Sequence, residues 1–262
     1  MIAVFDSGVG GLTVAKSLKI QYPALPLLYV GDTARYPWGN KSPAVIRKYC
    51  DQFVNYFQKK NINRIIIACN TASTFAGSYL RDHYRQVTFF DVIDPVMKTL
   101  TKQFQQRKIS KVGIIGTRGT IASHVYQSKI KQLSSAIKIQ SRACPLLVPL
   151  VEENFHDHPA TSLILKHYLQ HFTNIDHLIL GCTHYPLLQA QIQELLGPKV
   201  KLLSSAREIA KQIKLNPNDF SPNRPDEYFF TDCSSHYHEL TSRIMDQSIK
   251  VKQLPLSQIN QC

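Results

Sequence analysis

The sequence predicts an α/β protein with two similar parallel-sheet domains that face each other across a central cleft. Short apolar runs alternate with longer amphipathic runs, which is typical of the strands and helices of a parallel sheet. The alternation starts again at KVGIIGT, so the second half repeats the layout of the first. Each half also has an apolar run that ends in a small residue, a cysteine and polar residues, namely IIIACNTAS and LILGCTHYPLL.

The predicted strands and helices follow one another in pairs along the chain. In the first half, IAVF precedes the helix GGLTVAKSLKIQY, PLLYVGD precedes PAVIRKYCDQFVNYFQKK, and IIIAC precedes TASTFAGSYLRDHY. In the second half, KVGIIGT precedes SHVYQSKIKQL, and LILGC precedes PLLQAQIQELLG. We expect the chain to cross between halves within VIDPVMKTL and to return within LLSSAREIAKQI. Residues 1–94 with about 206–262 then form the first domain, and residues 95–205 form the second.

The composition is that of an ordinary globular protein. The chain has 262 residues, 44% of them hydrophobic, which is enough for a sizeable core. It has no apolar run long enough to cross a bilayer, and no basic leader with a cleavage site, so we expect a cytoplasmic protein without a membrane segment. The formal net charge is +13, but the basic residues are spread without a run of five. A nucleic-acid partner is therefore not expected.

The six cysteines form no C-x-x-C pair, and this spacing argues against a zinc ribbon or a disulfide framework. We expect reduced thiols. Three of them are interpreted as small buried hydrophobes, and the last as an exposed terminal residue. The three are Cys50, Cys144 and Cys233, and the terminal one is Cys262.

The sequence predicts neither a metal nor a cofactor. Histidine pairs occur at 156 and 158 and at 236 and 238, but neither pair has convincing partner ligands. The glycines of DSGVGG lack the G-x-G-x-x-G arrangement of a dinucleotide loop.

The two cysteine motifs predict a thiol site for an anionic ligand. In open parallel sheets the binding crevice lies beyond the carboxyl ends of the strands, where Cys69 and Cys182 fall. A helix that starts just after each strand would direct backbone N–H groups at the site, which favours a carboxylate and lowers a thiol pKa. Pro186 is suited to such a start. Two thiols on opposing walls could remove a proton from one face of an α-carbon and deliver one to the other face.

Four further motifs lie near predicted strand ends. In DSGVGG, Asp6 or Ser7 could cap the following helix. Alternatively, Asp6 points into the crevice, and both interpretations stay open. The loop GDTARYPWGNKS forms a plausible wall, and GTRGT is either a turn or an anion contact. His184 could protonate or orient a substrate or perturb the Cys182 thiol. Glu152 offers a carboxylate, although glutamate is usually solvated.

A cysteine hydrolase built on Cys182, His184 and Asp6 is the competing catalytic interpretation. Residues two positions apart rarely place a base on its own nucleophile, and a hydrolase would leave Cys69 unexplained. We therefore favour the two-thiol interpretation.

Together the motifs resemble glutamate racemases of the cofactor-independent aspartate/glutamate racemase superfamily. The resemblance covers most of the chain and rests on DSGVGG, GDTARYPWGNKS, IIACNTAS, VIDPV, GTRGTI, ACPLLVPLVEE and LGCTHYPLL, in the family's order. It implies two similar α/β domains with the site between them, a homodimer, and conversion of L-glutamate to D-glutamate for peptidoglycan.

The resemblance also implies roles for individual residues. Cys69 and Cys182 become the two acid/base residues, and we predict that Asp6 and His184 assist them, each near a different thiol. The expected substrate-binding residues are Asp6, Ser7, Trp38, Gly39, Asn70, Thr71, Thr183 and His184, with Thr117, Thr120 and Glu152 as further candidates.

The chain departs from the family pattern at a few positions. Trp38 stands where tyrosine is usual, Asn154 where glycine is usual, and Ser204 where aspartate is common; TDCSSHY also lacks the usual glycine. Aspartate racemase is the near alternative, because pocket size chooses between the two substrates. A basic protein that binds nucleic acid or an acidic protein is the alternative from a different class.

Overall fold

The computed structural model describes residues 1–106, 109–220 and 224–260. Ten strands and twelve α-helices lie within these ranges. The strands are β1 (Ile2–Asp6), β2 (Leu27–Gly31), β3 (Arg64–Ile67), β4 (Thr88–Asp91), β5 (Lys111–Gly116), β6 (Lys138–Ala143), β7 (His177–Gly181), β8 (Lys201–Ser204), β9 (Glu227–Phe230) and β10 (Val251–Gln253). The helices are α1 (Leu12–Gln21), α2 (Pro43–Lys59), α3 (Asn70–His83), α4 (Ile93–Gln106), α5 (Arg118–Ala122), α6 (Val125–Leu133), α7 (Leu147–Glu152), α8 (Pro159–Leu169), α9 (Gln189–Leu196), α10 (Ser205–Gln212), α11 (Ser235–Met245) and α12 (Leu256–Asn260).

The strands form two separate parallel sheets. One has six strands in the order β10-β9-β2-β1-β3-β4, and the other has four in the order β6-β5-β7-β8. Every strand pair is parallel. Parallel sheets are covered on both faces, which explains why every residue of β1 and β7 is buried and why most of them are apolar. The predicted α/β class with two parallel sheets is confirmed.

Each sheet packs helices on both faces because successive side chains of a strand point to opposite sides. In β1, Val4 joins one core cluster, with residues of α1, α10 and α11, whereas Phe5 joins another, with residues of α2 and α3. In β5, Ile114 and Ile115 divide in the same way between two clusters of the four-stranded sheet. Because helices cover both faces of each sheet, the carboxyl ends of the central strands are where polar side chains can line a site.

The chain passes between the sheets twice. It leaves the six-stranded sheet after β4, through α4, and returns after β8, through α10. The two helices contact each other: Gln212 Nε2 donates a hydrogen bond of 2.8 Å to the Pro95 carbonyl, and the Thr99 hydroxyl donates to Glu208. The domain limits at 94/95 and 205/206 stay a prediction.

The cysteines outside the two motifs behave differently from one another. Cys50 and Cys144 are fully buried in apolar clusters, as predicted. The same prediction for Cys233 is wrong, because this residue lies between β9 and α11, is partly exposed, and places Sγ 3.3 Å from His238 Nε2. Cys262 lies outside the described residues. In the described part of the chain, no helix has the length and apolar character that a membrane span requires.

Candidate active site

Cys69 connects β3 to α3 and acts as the N-cap of that helix. Its Sγ accepts a hydrogen bond from the backbone N–H of Ala72 at 3.5 Å and lies 3.5 Å from the Ser7 hydroxyl. The helix therefore begins directly after the thiol, as predicted. A helix N-terminus of this kind can present backbone donors to a bound anion.

Cys182 follows β7, but the predicted α-helix does not start there. A short 3₁₀ helix, Tyr185–Leu188, comes first, with Pro186 in its first turn, and α9 begins only at Gln189. The prediction of an immediate α-helix is therefore wrong for this motif, whereas the placement of Pro186 at a helix start is confirmed. The intervening residues Thr183 and His184 instead face the other sheet and the thiol.

The loop after β1 and the first turn of α1 pack closely against the Cys182 motif. The Thr13 hydroxyl donates a hydrogen bond of 2.9 Å to the Thr183 carbonyl. A Cβ atom at Gly10 would lie 2.4 Å from Thr183 Oγ1 and from His184 Nδ1. Only glycine allows the first loop of one sheet to approach the second cysteine motif this closely.

One cavity lies between the two cysteine motifs. Its volume is about 320 Å³, and both thiols line it, Cys69 from the six-stranded sheet and Cys182 from the four-stranded sheet. Most of the predicted substrate-binding residues also line it. They are Ser7, Trp38, Gly39, Asn70, Thr71, Thr117, Thr183 and His184. Asp6, Thr120 and Glu152 are not among the lining residues and lie behind this wall.

Asp6 is completely buried next to the Cys69 side of the cavity. Its Oδ2 accepts a hydrogen bond of 3.0 Å from the Gly8 backbone, while Oδ1 has no hydrogen-bond partner among the described residues. Burial raises the pKa of Asp6 from its ordinary 3.8 to about 6, although the nearby His184 opposes this rise. Helix α1 is capped by Gly11 without a side-chain bond, so the interpretation of Asp6 or Ser7 as its cap is wrong.

The Cys69 thiol is a weak acid in this setting. Burial, followed by the charge of Asp6, raises its pKa to about 12, and the hydrogen bonds with Ser7 and Ala72 oppose this rise. The backbone N–H of Ala72 at the helix N-terminus does lower this pKa, as expected, but the cost of desolvating a thiolate exceeds the stabilisation from the two hydrogen bonds. Without a ligand, Cys69 is a protonated thiol that can act as a proton donor.

His184 lies between Cys182 and Glu152. Its Nδ1 is 3.8 Å from Cys182 Sγ, and its Nε2 is 2.8 Å from Glu152 Oε1. Burial lowers the pKa of His184, but hydrogen bonds and charge interactions with Cys182 and Glu152 raise it to about 10. His184 is therefore an imidazolium at neutral pH, and Asp6 and His184 do lie beside different thiols.

Two expectations about this cluster are wrong. Glu152 is not solvated: its side chain is only 13% exposed, because the end of α7 packs against the 3₁₀ helix that follows His184. A residue two positions from a cysteine does reach it, because the bend after β7 turns the imidazole back towards Sγ. Polar contacts thus connect Glu152 to His184 and His184 to Cys182. Asp6 lies on the Cys69 side of the cavity.

Threonine hydroxyls join the two sheets at the edge of the cavity. Thr71 Oγ1 is 3.0 Å from Thr117 Oγ1, which is also 3.0 Å from Thr120 Oγ1. Thr117 additionally caps α5, so GTRGT serves both as a turn and as part of the wall. A Cβ atom at Gly39 would lie 2.9 Å from Thr117 Cβ, which explains the glycine. The hydroxyls of Thr71 and Thr117 can donate to a carboxylate in the cavity.

Trp38 lines the cavity but turns its polar atom away from it. The indole packs against Tyr49 and Phe53, and Nε1 donates a hydrogen bond of 3.0 Å to Asp32 Oδ2. Asp32 also accepts from Arg35 Nε at 2.7 Å. This buried carboxylate holds the loop that carries Trp38, and sequence reasoning did not identify it.

Arg118 and an apolar wall also line the cavity and were not predicted from the sequence. Arg118 lines the cavity, is exposed, and makes no ion pair with any acid of the described residues. The basic residue inside GTRGT was the available signal. The apolar wall consists of Pro145, Leu146, Val148 and Pro149. No aspartate or glutamate is among the described lining residues, so the cavity suits an anion.

The arrangement is suited to proton transfer at an acidic C–H group between two thiols. The Cys69 thiol lies beside the buried Asp6 and the Ser7 hydroxyl. The Cys182 thiol lies beside the His184 imidazolium. Within the described residues, no three histidine, cysteine or acidic side chains are grouped as metal ligands would be.

Comparison with known proteins gives a consistent result along the whole chain. Residues 17–213 match the family of Asp/Glu/hydantoin racemases. A glutamate racemase of Aquifex aeolicus is 38% identical over 255 residues, which cover 96% of each chain. The crystal structure of a glutamate racemase isoform from Bacillus anthracis superposes with a TM-score of 0.88 at 32% identity, covering 98% of this chain and 97% of the other. That of the Francisella tularensis glutamate racemase, in complex with D-glutamate, has a TM-score of 0.87 at 31% identity and covers 97% of each chain.

Proposed function

The chain belongs to the Asp/Glu/hydantoin racemase family, and we propose that it interconverts L- and D-glutamate with Cys69 and Cys182 as the two acid/base groups. The observation that carries this proposal is the single cavity lined by one thiol from each sheet. Inversion needs a base on one face of the α-carbon and an acid on the opposite face. Each thiol serves as base in one direction and as acid in the other.

The surrounding residues supply what the thiols lack. The α-proton is far less acidic than a thiol, so donors must stabilise the carboxylate as it becomes enolate-like, and such stabilisation is worth several kcal/mol. The Asn70 amide and the hydroxyls of Thr71 and Thr183 line the cavity and can donate to that carboxylate. An imidazolium at His184 attracts a thiolate at Cys182, and Asp6 lies beside the proton-donating thiol of Cys69.

The proposed cellular role is supply of D-glutamate for peptidoglycan, in the cytoplasm. The free thiols of the five described cysteines are typical of a reducing compartment. We also propose the domain division at residues 1–94 with about 206–262 and 95–205. Its support is that β1 to β4, β9 and β10 share one sheet, whereas β5 to β8 form the other.

The proposed activity is tested by incubating the purified protein with L-glutamate, without added cofactor, and following optical rotation. The signal should decay towards that of the racemic mixture. L-aspartate in a parallel reaction tests the near alternative, and a change with aspartate alone would assign that substrate. A flat trace with both amino acids would contradict the proposal and favour a binding function.

Arg118→Gln should raise KM for glutamate about 3- to 10-fold and leave kcat nearly unchanged. Glutamate carries a net negative charge, and an unpaired cation at the cavity attracts it more strongly at low ionic strength. The measurement is kcat/KM at 20 and 300 mM salt, with Lys138→Gln, at an exposed lysine that begins strand β6, as the charge-matched control. A salt dependence equal in Arg118→Gln, Lys138→Gln and wild type would show that Arg118 does not steer the substrate.

We further propose that the protein is a homodimer. Three large apolar side chains outside the cores support an interface on the four-stranded sheet's half of the molecule. They are Leu146, Phe155 and Leu163, which are 52%, 42% and 67% exposed. Sedimentation velocity at micromolar concentration should give a dimer, and Leu163→Asp should shift it towards monomer; a monomeric wild type would contradict the proposal.

A further inference from the structure

Tyr126 connects the two cysteine motifs from outside the cavity. It is completely buried on α6 and is not among the residues that line the cavity. Its hydroxyl donates a hydrogen bond of 2.8 Å to Asn70 Oδ1. The edge of its ring faces Gly181, where an added Cβ atom would lie 3.4 Å from Tyr126 Cε2. One side chain therefore contacts the residue after Cys69 and the residue before Cys182.

The Asn70 amide is held at both of its ends. While Oδ1 accepts from Tyr126, Nδ2 donates a hydrogen bond of 3.2 Å to the Ser205 hydroxyl. Asn70 is only 2% exposed and lines the cavity. An amide nitrogen carries two hydrogens, so the bond to Ser205 leaves one for a ligand. The two hydroxyls fix the plane of the amide and thereby the direction of that remaining donor.

We propose that Tyr126 is a positioning residue for racemisation, which aligns Asn70 through its hydroxyl and supports the Cys182 strand end through its ring. This inference rests on the proposed function. The Tyr126 hydroxyl acts through Asn70, because Asn70 is the cavity-lining residue that this hydroxyl contacts. A displacement of a donor by a fraction of an ångström is enough to lower a rate substantially.

Tyr126→Phe separates the hydroxyl from the ring. The substitution keeps the ring against Gly181 but leaves Asn70 Oδ1 buried without its donor. A buried acceptor that loses its partner is destabilised, and without this hydrogen bond the plane of the Asn70 amide is no longer fixed. We expect kcat/KM for glutamate to fall about 10-fold in both directions and the Kd of D-glutamate, measured by calorimetry, to rise by a similar factor. Tyr84→Phe is the control, because its hydroxyl bonds only to Asp51 among the residues described, at 3.1 Å, and neither residue lines the cavity.

A double-mutant cycle distinguishes positioning from general stabilisation. If Tyr126 acts through Asn70, then Tyr126→Phe should have no further effect on kcat/KM once Asn70→Ala is present. Asn70→Ser replaces Asn70→Ala in the cycle if the alanine variant does not fold. Kinetics are measured well below the thermal midpoint of each variant, so that a loss of stability alone leaves kcat/KM unchanged.

The outcomes are distinct. Wild-type racemisation with unchanged kcat/KM in Tyr126→Phe would overturn this inference and leave the proposed function standing. Independent, multiplicative effects in the cycle would also overturn it, because Tyr126 would then act on another group. A wild-type protein that does not racemise glutamate would overturn the proposed function and this inference with it.

Discussion

Cys69→Ser and Cys182→Ser should each abolish racemisation in both directions, with kcat at least about 10²- to 10⁴-fold below wild type. Each thiol is the base in one direction and the acid in the other, so the loss of either stops the full reaction. Serine has a similar shape but is far less acidic and fails as a base at neutral pH. The measurement is the initial rate from L-glutamate and from D-glutamate, by optical rotation.

The remaining cysteines provide matched controls for this substitution. Cys233→Ser should leave turnover close to normal, because Cys233 is partly exposed and lies outside the cavity lining. Cys50→Ser and Cys144→Ser bury a hydroxyl in an apolar cluster, so we expect lower stability with little change in kcat. In D2O, the product from L-glutamate should carry deuterium at the α-carbon. Near-normal turnover in Cys69→Ser or in Cys182→Ser would refute the two-thiol mechanism.

Asp6→Asn and His184→Asn should each lower kcat by about 10²- to 10⁴-fold, the range for a positioned acid or base. The two effects should differ between the L-to-D and D-to-L directions, because Asp6 lies beside Cys69 and His184 beside Cys182. The check is a separate kcat for each direction. Near-normal kcat in both variants would make these residues structural.

Stability measurements show whether Asp6→Asn is inactive because it is misfolded. The pKa of Asp6 rises on folding from 3.8 to about 6, so the fold favours the neutral carboxyl group. The contribution of the neutral Asp6 carboxyl group to the free energy of unfolding is fully present below pH 3.8 and is lost as the pH rises through 6. The total loss is about 3 kcal/mol. Asparagine is neutral at every pH. The variant should therefore have a higher free energy of unfolding than wild type at pH 7.5, but not at pH 4, in urea titrations.

The sequence predicts those features that depend on local patterns. Apolar runs and amphipathic runs identified the strands and helices, because periodicity follows from which faces are buried. The two strand-end cysteines were found because parallel strands present their carboxyl ends at one edge. Thr71 and Thr183 were found with them, since they lie two positions after Cys69 and one position after Cys182 in the chain.

The features that escaped prediction depend on contacts between distant segments. Glu152 meets His184 only because α7 folds against the bend after β7. The high pKa of Cys69 follows from burial, which no residue next to it in the chain reveals. Tyr126 belongs to an ordinary amphipathic helix, and only the docking of α6 between the two motifs gives its hydroxyl a partner.

The double passage of the chain between the sheets affects how the protein matures. The four-stranded sheet is encoded by one uninterrupted stretch, from β5 to β8, whereas the six-stranded sheet waits for β9 and β10 near the end of synthesis. Neither sheet holds both thiols. Recovery of racemisation after denaturation therefore requires both sheets and their docking, and it cannot precede the last of these steps.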